Sequence, residues 1–295
     1  MHVLIYGKTV NESQVSAIQS LFDTLIRENA TISIYEPYWE VLQPKVSVET
    51  QVQTVISHNG LKDKGVQFLL SLGGDGTILS AVTLVRNLDI PIMGINLGRL
   101  GFLASIEQKY IHRAIEYLKL GRYHLERRSM LSLEANKSLF DDIPFALNDF
   151  AILKRDDSSM IIIHTYVNGE FLNTYWADGL IVATPTGSTG YSLSCGGPIL
   201  FPASKNLIIT PVAPHNLNVR PIVLPDDSVI SFTVEGRSDS FLCTLDSRFE
   251  VIHSGTKLSV RKCSFSIELV QLDEMSFSQT MRNKLMWGYD MRKYN

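Results

Sequence analysis

The apolar pattern of this chain changes character once, near residues 121–126, and that change limits the folds open to it. Before it, strand-like runs alternate with stretches of helical spacing, as expected where helical crossovers join parallel strands. Residues 2–6, 31–35, 66–72 and 90–95 read as strands. A helix is predicted over 13–28, with Val15, Ile18, Leu21, Phe22, Leu25 and Ile26 at helical spacing, followed by a turn at 29–31. Another helix runs over 111–120 and stops at Gly121. After the change, short runs at 130–135, 145–153, 161–167, 179–184, 206–210, 229–234 and 257–260 are split by Gly, Pro, Asp and Ser. Short strands separated by turn signals point to a mostly antiparallel sandwich. The tail turns helical again over 278–288, with Met281, Leu285 and Trp287 at helical spacing, Ser276 or Ser278 as a cap and Gly288 as a stop. A lone helix must bury its apolar face somewhere, and packing on the first domain makes that domain discontinuous. The expected division is an α/β domain of residues 1–124 plus 277–295 and a β-rich domain of 125–276.

The densest chemical signal is Gly73-Gly74-Asp75-Gly76-Thr77, placed directly after the run 66–72 and before the apolar stretch 78–85. That order reads as buried strand, glycine turn, helix. Such turns at the carboxyl ends of parallel strands are where open α/β sheets bind nucleotides. Glycines let backbone approach a phosphate, and a helix N-terminus presents N–H groups to an anion. A carboxylate at this place repels phosphate unless it binds a metal or takes a proton. Asp75 is therefore a candidate base or metal partner in phosphoryl chemistry, the plain alternative being a helix cap.

Two further constellations stand out. Residues 178–194 deliver a strand into a run of small hydroxyls and glycines that includes Thr186, Ser188, Thr189, Gly190, Tyr191 and Ser192, with Gly196-Gly197-Pro198 close behind. Hydroxyls and backbone N–H groups suit sugars, phosphates and base edges, although most such clusters are only turns. Asn148 and Asp149 interrupt the apolar run 145–153. A polar pair there needs partners, because an unpaired buried polar group costs roughly 1–3 kcal/mol. A carboxylate accepts ribose hydroxyls or an adenine amino group; a bulge or turn explains the pair equally well.

Other classes are disfavoured. A net charge of −3 and a pI near 6.2 argue against general nucleic-acid binding, and the pair Arg127–Arg128 reads as a solvated loop. Cys195, Cys243 and Cys263 form no CxxC or metal spacing, which fits a reducing compartment. No signal peptide and no apolar run of transmembrane length is seen, so a cytoplasmic protein away from membranes is expected. The histidines are scattered; His215 and His253 are more often structural than ligand-binding in such settings. The chain has no Walker loop, protein-kinase signature, HExxH or GxSxG.

Taken together, the glycine motif, Asn148-Asp149, the run 178–191 (DGLIVATPTGSTGY), Gly196-Gly197-Pro198 and the tail Arg282-Asn283-Lys284-Leu285-Met286-Trp287-Gly288 resemble the NAD kinase family in its bacterial form, in the family's order and over nearly the whole chain. The resemblance implies an N-terminal Rossmann-like α/β domain, a C-terminal mostly antiparallel β-rich sandwich, and an active site in the crevice between them. It implies phosphorylation of the 2′-hydroxyl of the adenosine ribose of NAD, with ATP and Mg²⁺ or another divalent metal. It further implies a homo-oligomer, dimer or tetramer, in which a neighbouring subunit completes the NAD site. By the same resemblance Asp75 is the proton acceptor, and Gly74, Gly76 and Thr77 contact nucleotide. Phe102 borders the adenine pocket, and Asn148 and Asp149 hold the adenosine. Asp178 reaches NAD across an interface. Thr186, Ser188, Thr189, Gly190, Tyr191, Ser192, Leu193 and Ser194 contact NAD, as does Ala213.

Three positions depart from the family pattern: Asp149 stands for the commoner Glu, Gly190 for Ala, and Ser80 for a basic residue. Two rival readings follow. A diacylglycerol- or sphingosine-type lipid kinase shares the glycine motif but leaves the run 178–191 unexplained and needs a membrane-binding face. A dinucleotide sensor without turnover fits the departures alone.

Overall fold

Residues 1–155, 159–273 and 276–286 are described by the computed structural model. The chain forms two compact units, Met1–Arg127 with Ile267–Asn295, and Arg128–Ser266. The strand Ile267–Leu272, which lies within the sequence-expected β-rich span 125–276, belongs to the first unit's sheet.

Near-continuous apolar runs build that sheet, as expected for strands buried on both faces. Its order is Gln53–Val55, Thr31–Tyr35, His2–Tyr6, Phe68–Leu72, Ile92–Asn96, Ile267–Leu272, Tyr123–Arg128, with Ile106–Glu107 also paired to Ile92–Asn96. Successive neighbours from Gln53–Val55 through Ile267–Leu272 pair in parallel. The chain moves one way from His2–Tyr6 to Gln53–Val55 and the other way from Phe68–Leu72 to Ile92–Asn96. The sheet therefore has its topological switch point between His2–Tyr6 and Phe68–Leu72. The helix Glu12–Arg27 buries Ile18, Leu21, Phe22 and Leu25, and Ile111–Leu120 buries Ile111, Ala114, Ile115 and Leu118, all in one core with the strands. The tail helix Phe277–Leu285 is capped by Ser276, whose side chain accepts from the Gln279 N–H. Its buried residue is Thr280 rather than Met281 or Leu285, which are half-buried; Trp287 and Gly288 lie outside the described residues.

The second unit is an antiparallel sandwich, as expected. One sheet runs Ile222–Pro225, Asn206–Val212, Gly179–Ala183, Asp149–Lys154, Ser240–Leu245, Arg248–His253. The other runs Glu170–Ala177, Ile161–Val167, Ile230–Glu235, Leu258–Lys262, Leu131–Ala135, Phe145–Ala146. Side chains from both sheets fill one core, where the Phe150 and Phe232 rings stack at 5.5 Å. The run 145–153 is not one strand: the chain leaves one sheet after Ala146 and enters the other at Asp149. Nor is Arg127–Arg128 a solvated loop. Both residues end the strand Tyr123–Arg128; Arg127 lies 3.5 Å from Glu268, and Arg128 is buried and donates to Thr186 Oγ1 at 3.3 Å.

Candidate active site

In the first unit, the strand Phe68–Leu72 ends at the switch point and hands the chain to the glycine turn. Gly74 caps the helix Asp75–Val85, which puts Asp75 in its first turn. The carboxylate does not cap its own helix. It turns to the segment 102–104, where Oδ2 accepts the Phe102 N–H at 2.8 Å and Oδ1 accepts those of Leu103 and Ala104 at 3.0 and 2.9 Å. Gly101 makes this approach possible: a Cβ there would stand 1.9 Å from Asp75 Oδ1. Lys284 Nζ lies 3.9 Å from Asp75 Oδ2, donates to the Leu100 carbonyl at 3.0 Å and sits 5.1 Å from the centre of the Phe102 ring. A carboxylate has about four acceptor directions, so three backbone donors fix its orientation and leave one for a ligand. Above the turn the space is open, since a Cβ at Gly74 or Gly76 would meet nothing within 4 Å. The Thr77 N–H donates to the Gly74 carbonyl at 2.9 Å, and Ser80 Oγ donates to that of Gly76 at 3.2 Å.

In the second unit, Asn148 and Asp149 sit where the chain crosses between sheets. Asn148 Oδ1 is buried and has no hydrogen-bond partner. Such an atom in a native fold calls for a reason, and a ligand donor such as an amino group supplies one. Asp149 is 6% exposed. Burial, then the charge of Asp246, pushes its carboxyl up to about 7. Burial also raises Asp246, against backbone N–H donors and Arg248, which lower it. The Tyr191 phenol is raised by burial and by Cys195, Asp149 and Asp178, so it stays a hydroxyl donor. Asp178 is half-buried and pairs with Lys154 at 3.0 Å.

The loop after Gly179–Ala183 is tied down by its own hydroxyls. Thr184 Oγ1 donates to the Leu147 carbonyl at 2.6 Å, and the Thr184 N–H to that of Asn148 at 2.9 Å. Gly187 packs so closely that a Cβ would meet the Asn148 carbonyl oxygen at 2.1 Å. Ser188 and Ser192 are fully buried: Ser188 Oγ donates to the Pro185 carbonyl at 2.6 Å, and Ser192 Oγ meets Thr210 Oγ1 at 2.8 Å. Thr186 bonds Arg128, and Thr189 Oγ1 donates to the Thr186 carbonyl at 3.2 Å. These hydroxyls hold the loop's shape. Tyr191 and Ser194 are exposed and Leu193 is half-buried. An Ala Cβ at Gly190 would come within 3.3 Å of the Gly187 carbonyl, so the departure from Ala relieves a tight contact. Ala213, exposed just past Asn206–Val212, holds φ +44°, a strained backbone for a residue with a side chain.

Sequence reasoning assigned no role to Gly101, Lys284, Arg128 or Asp246. Lys284 lies inside the tail motif that was legible. Asp246 follows an alternating run, 240–245, that ends in a turn-prone Asp-Ser pair.

A glycine turn at the carboxyl end of a parallel strand, at a switch point, is where α/β proteins take nucleotides, and the first unit is built that way. Comparison with known proteins narrows the class. The family model described as ATP-NAD kinase N-terminal domain matches residues 4–123, and that described as ATP-NAD kinase C-terminal domain matches 147–272. An NAD kinase of Cytophaga hutchinsonii is 45% identical over 98% of this chain and 98% of its own length. One of Flavobacterium psychrophilum is 45% identical over 99% of this chain and all of its own. The chain belongs to the ATP-NAD kinase family. Among solved structures, yeast NADH kinase complexed with NADH matches with a TM-score of 0.89 at 23% identity, over 99% of this chain and 89% of that one. An NAD kinase from Archaeoglobus fulgidus in complex with ATP matches with a TM-score of 0.73 at 24% identity, over 97% and 98%. At these identities the two structures bear on the fold alone.

Proposed function

We propose that this protein transfers the γ-phosphoryl group of ATP to the 2′-hydroxyl of the adenosine ribose of NAD, giving NADP. Family membership along both units carries the activity, and it leaves the lipid-kinase and sensor readings without support. The anchored Asp75 carboxylate is the observation that carries the chemistry. The 2′-oxygen attacks the γ-phosphorus in line, the bond to the ADP oxygen breaks, and the 2′-hydroxyl proton passes to Asp75. In a loose transition state the nucleophile needs its proton removed only late, so a carboxylate suffices when it is well placed. Three backbone donors supply that placement.

Recognition of the adenosine falls to the second unit. Asn148 Oδ1 is offered to an adenine amino group, and Asp149 and Tyr191 to ribose or base. Thr189, Leu193, Ser194 and Ala213 line the approach, while Thr186, Ser188, Gly190 and Ser192 shape the loop. Phe102 offers a ring face. Magnesium would enter with ATP as part of the substrate and would offset phosphate charge; among the described residues no three His, Cys, Asp or Glu side chains gather as a metal cage. Asp178, half-buried, is the residue we assign to NAD of a neighbouring subunit in a dimer or tetramer. Three free cysteines support a reducing, cytoplasmic setting, and among the described residues no helix is long and apolar enough to cross a membrane.

The test is NADP formation from NAD, ATP and Mg²⁺, with Asp75→Asn beside the wild type. We expect the variant to lose roughly 10²-fold or more in kcat, with NAD affinity changed much less. A variant with wild-type turnover removes Asp75 from the chemistry. A wild type that binds NAD without forming NADP restores the sensor reading or points to a donor such as polyphosphate.

A further inference from the structure

Asp246 is outside every sequence motif discussed so far, yet its carboxylate bonds the backbone of both members of the recognition pair. It sits between the antiparallel strands Ser240–Leu245 and Arg248–His253, whose partners Leu245 and Arg248 leave a two-residue loop, Asp246-Ser247. Its φ is +53°. Two-residue hairpin loops of this kind favour Asn, Asp or Gly because those residues tolerate positive φ. The turn therefore accounts for a small residue at 246, and asparagine or glycine would serve as well. It does not account for a carboxylate.

The crossing between sheets does. Phe145–Ala146 belongs to one sheet and Asp149–Lys154 to the other, so the backbone from 147 to 149 steps out of one ladder and into the next. Asp246 receives all three N–H groups there. Oδ2 accepts from Leu147 at 3.0 Å, and Oδ1 accepts from Asn148 at 2.7 Å and Asp149 at 3.3 Å. The Asp246 N–H donates in return to the Asp149 carbonyl at 2.9 Å. Thr184 takes the other two carbonyls, those of Leu147 and Asn148. The backbone of this step is thus fully bonded, while Asn148 Oδ1 is left buried with no partner.

We propose that Asp246 is a positioning residue for the dinucleotide site: its carboxylate holds the backbone of residues 147–149 in the one conformation that presents Asn148 Oδ1 and the Asp149 carboxyl to the adenosine of NAD. The proposal rests on the NAD kinase reading. Both oxygens of the acid are needed. A side-chain amide has one acceptor and one donor group, so asparagine at 246 sets an NH₂ against at least one backbone N–H. The turn survives that change and the cradle does not, which separates the two roles of Asp246.

The experiment is steady-state kinetics and calorimetric NAD binding on wild type, Asp246→Asn and Asp246→Gly, with thermal melting alongside. Both variants suit the turn and lack the two-oxygen acceptor. Expected are cooperative melting in both, a KM and Kd for NAD raised about tenfold or more, a KM for ATP within about twofold, and a kcat changed far less than KM. Wild-type NAD affinity in Asp246→Asn reduces Asp246 to a turn residue and overturns the proposal. So does a fall in kcat at unchanged NAD affinity, which would place Asp246 in the chemistry. Failure of both variants to fold assigns Asp246 to stability alone and equally ends it. A wild type that makes no NADP is a different failure, that of the underlying reading.

Discussion

Asp149 carries the clearest pH signature in the molecule. Its carboxyl is pushed from the usual 3.8 up to about 7, first by burial and then by the negative charge of Asp246. The folded protein therefore holds a proton between about pH 4 and 7 that the unfolded chain has already released. By linkage, stability from this group is fully present below about pH 4 and is lost as pH rises toward 7. The opposite sign would hold for a carboxylate engaged in a salt bridge. Asp246 is shifted in the same direction, so it adds to the trend. Replacing Asp149 with Asn removes the penalty of charging it. Relative to wild type, Asp149→Asn should gain in Tm between pH 5 and pH 8, by roughly 2–4 °C for each kcal/mol involved. Melting curves at both pH values check it, and a Tm difference that does not move with pH rejects the assigned shift. Near neutrality the same acid is part protonated, so it can meet a ligand as donor or acceptor.

At the scale of elements, the segment 101–104 works as a cradle that grips Asp75 through its backbone N–H groups. Gly101→Ala puts a methyl group 1.9 Å from Asp75 Oδ1, and the carboxylate must turn away. Misplacement of a reacting group by about 1 Å is worth on the order of 10²-fold in rate. We expect a loss of that size in kcat with Kd for NAD nearly unchanged, measured by turnover and calorimetry; full activity would show that the cradle does not orient the base. This cradle was invisible in the sequence for a physical reason. The residues that grip Asp75 lie 27 to 29 positions away and do so through backbone, which no residue type announces. Asp246 reaches Asn148 across 98 positions. Asp75 drew attention as a carboxylate inside a glycine turn, and Asn148 and Asp149 as polar residues inside an apolar run, and the candidate site was read from these. The parallel strands were legible because burial on both faces leaves unbroken apolar runs. Strands such as Glu170–Ala177 and Ser240–Leu245 were not, since half-exposed strands mix polar residues into a weak alternation. The run 145–153 looked like one strand because both of its halves are buried in the same core, and an apolar pattern does not mark a change of sheet.

The whole molecule is asymmetric in how its chain is used. The second unit is continuous, Arg128–Ser266, with two six-stranded sheets closed over a core of its own. The first unit is assembled from both ends of the chain, and its sheet needs the late strand. Ile267–Leu272 lies between Ile92–Asn96 and Tyr123–Arg128, with Leu269 opposite Ile92 and Val270 and Leu272 in the core. A fragment ending at residue 127 therefore loses an interior strand, leaves Ile92–Asn96 without that neighbour and detaches Tyr123–Arg128 from its partner. Interior strands, unlike edge strands, are hydrogen-bonded along both sides, and an apolar strand stripped of its partner is an aggregation site. It also loses Lys284 beside Asp75. The fragment 1–127 is expected to be insoluble or to melt without cooperativity, and the fragment 128–266 to fold alone with a β-type circular dichroism spectrum and a cooperative melt. Joining 267–286 to the end of 1–127 through a short flexible linker should restore a cooperative transition to the first unit, because it returns the missing strand to its slot. A soluble, cooperatively melting 1–127 would mean that the parallel strands are stable without Ile267–Leu272, and that the return of the chain serves the placement of Lys284 rather than the fold.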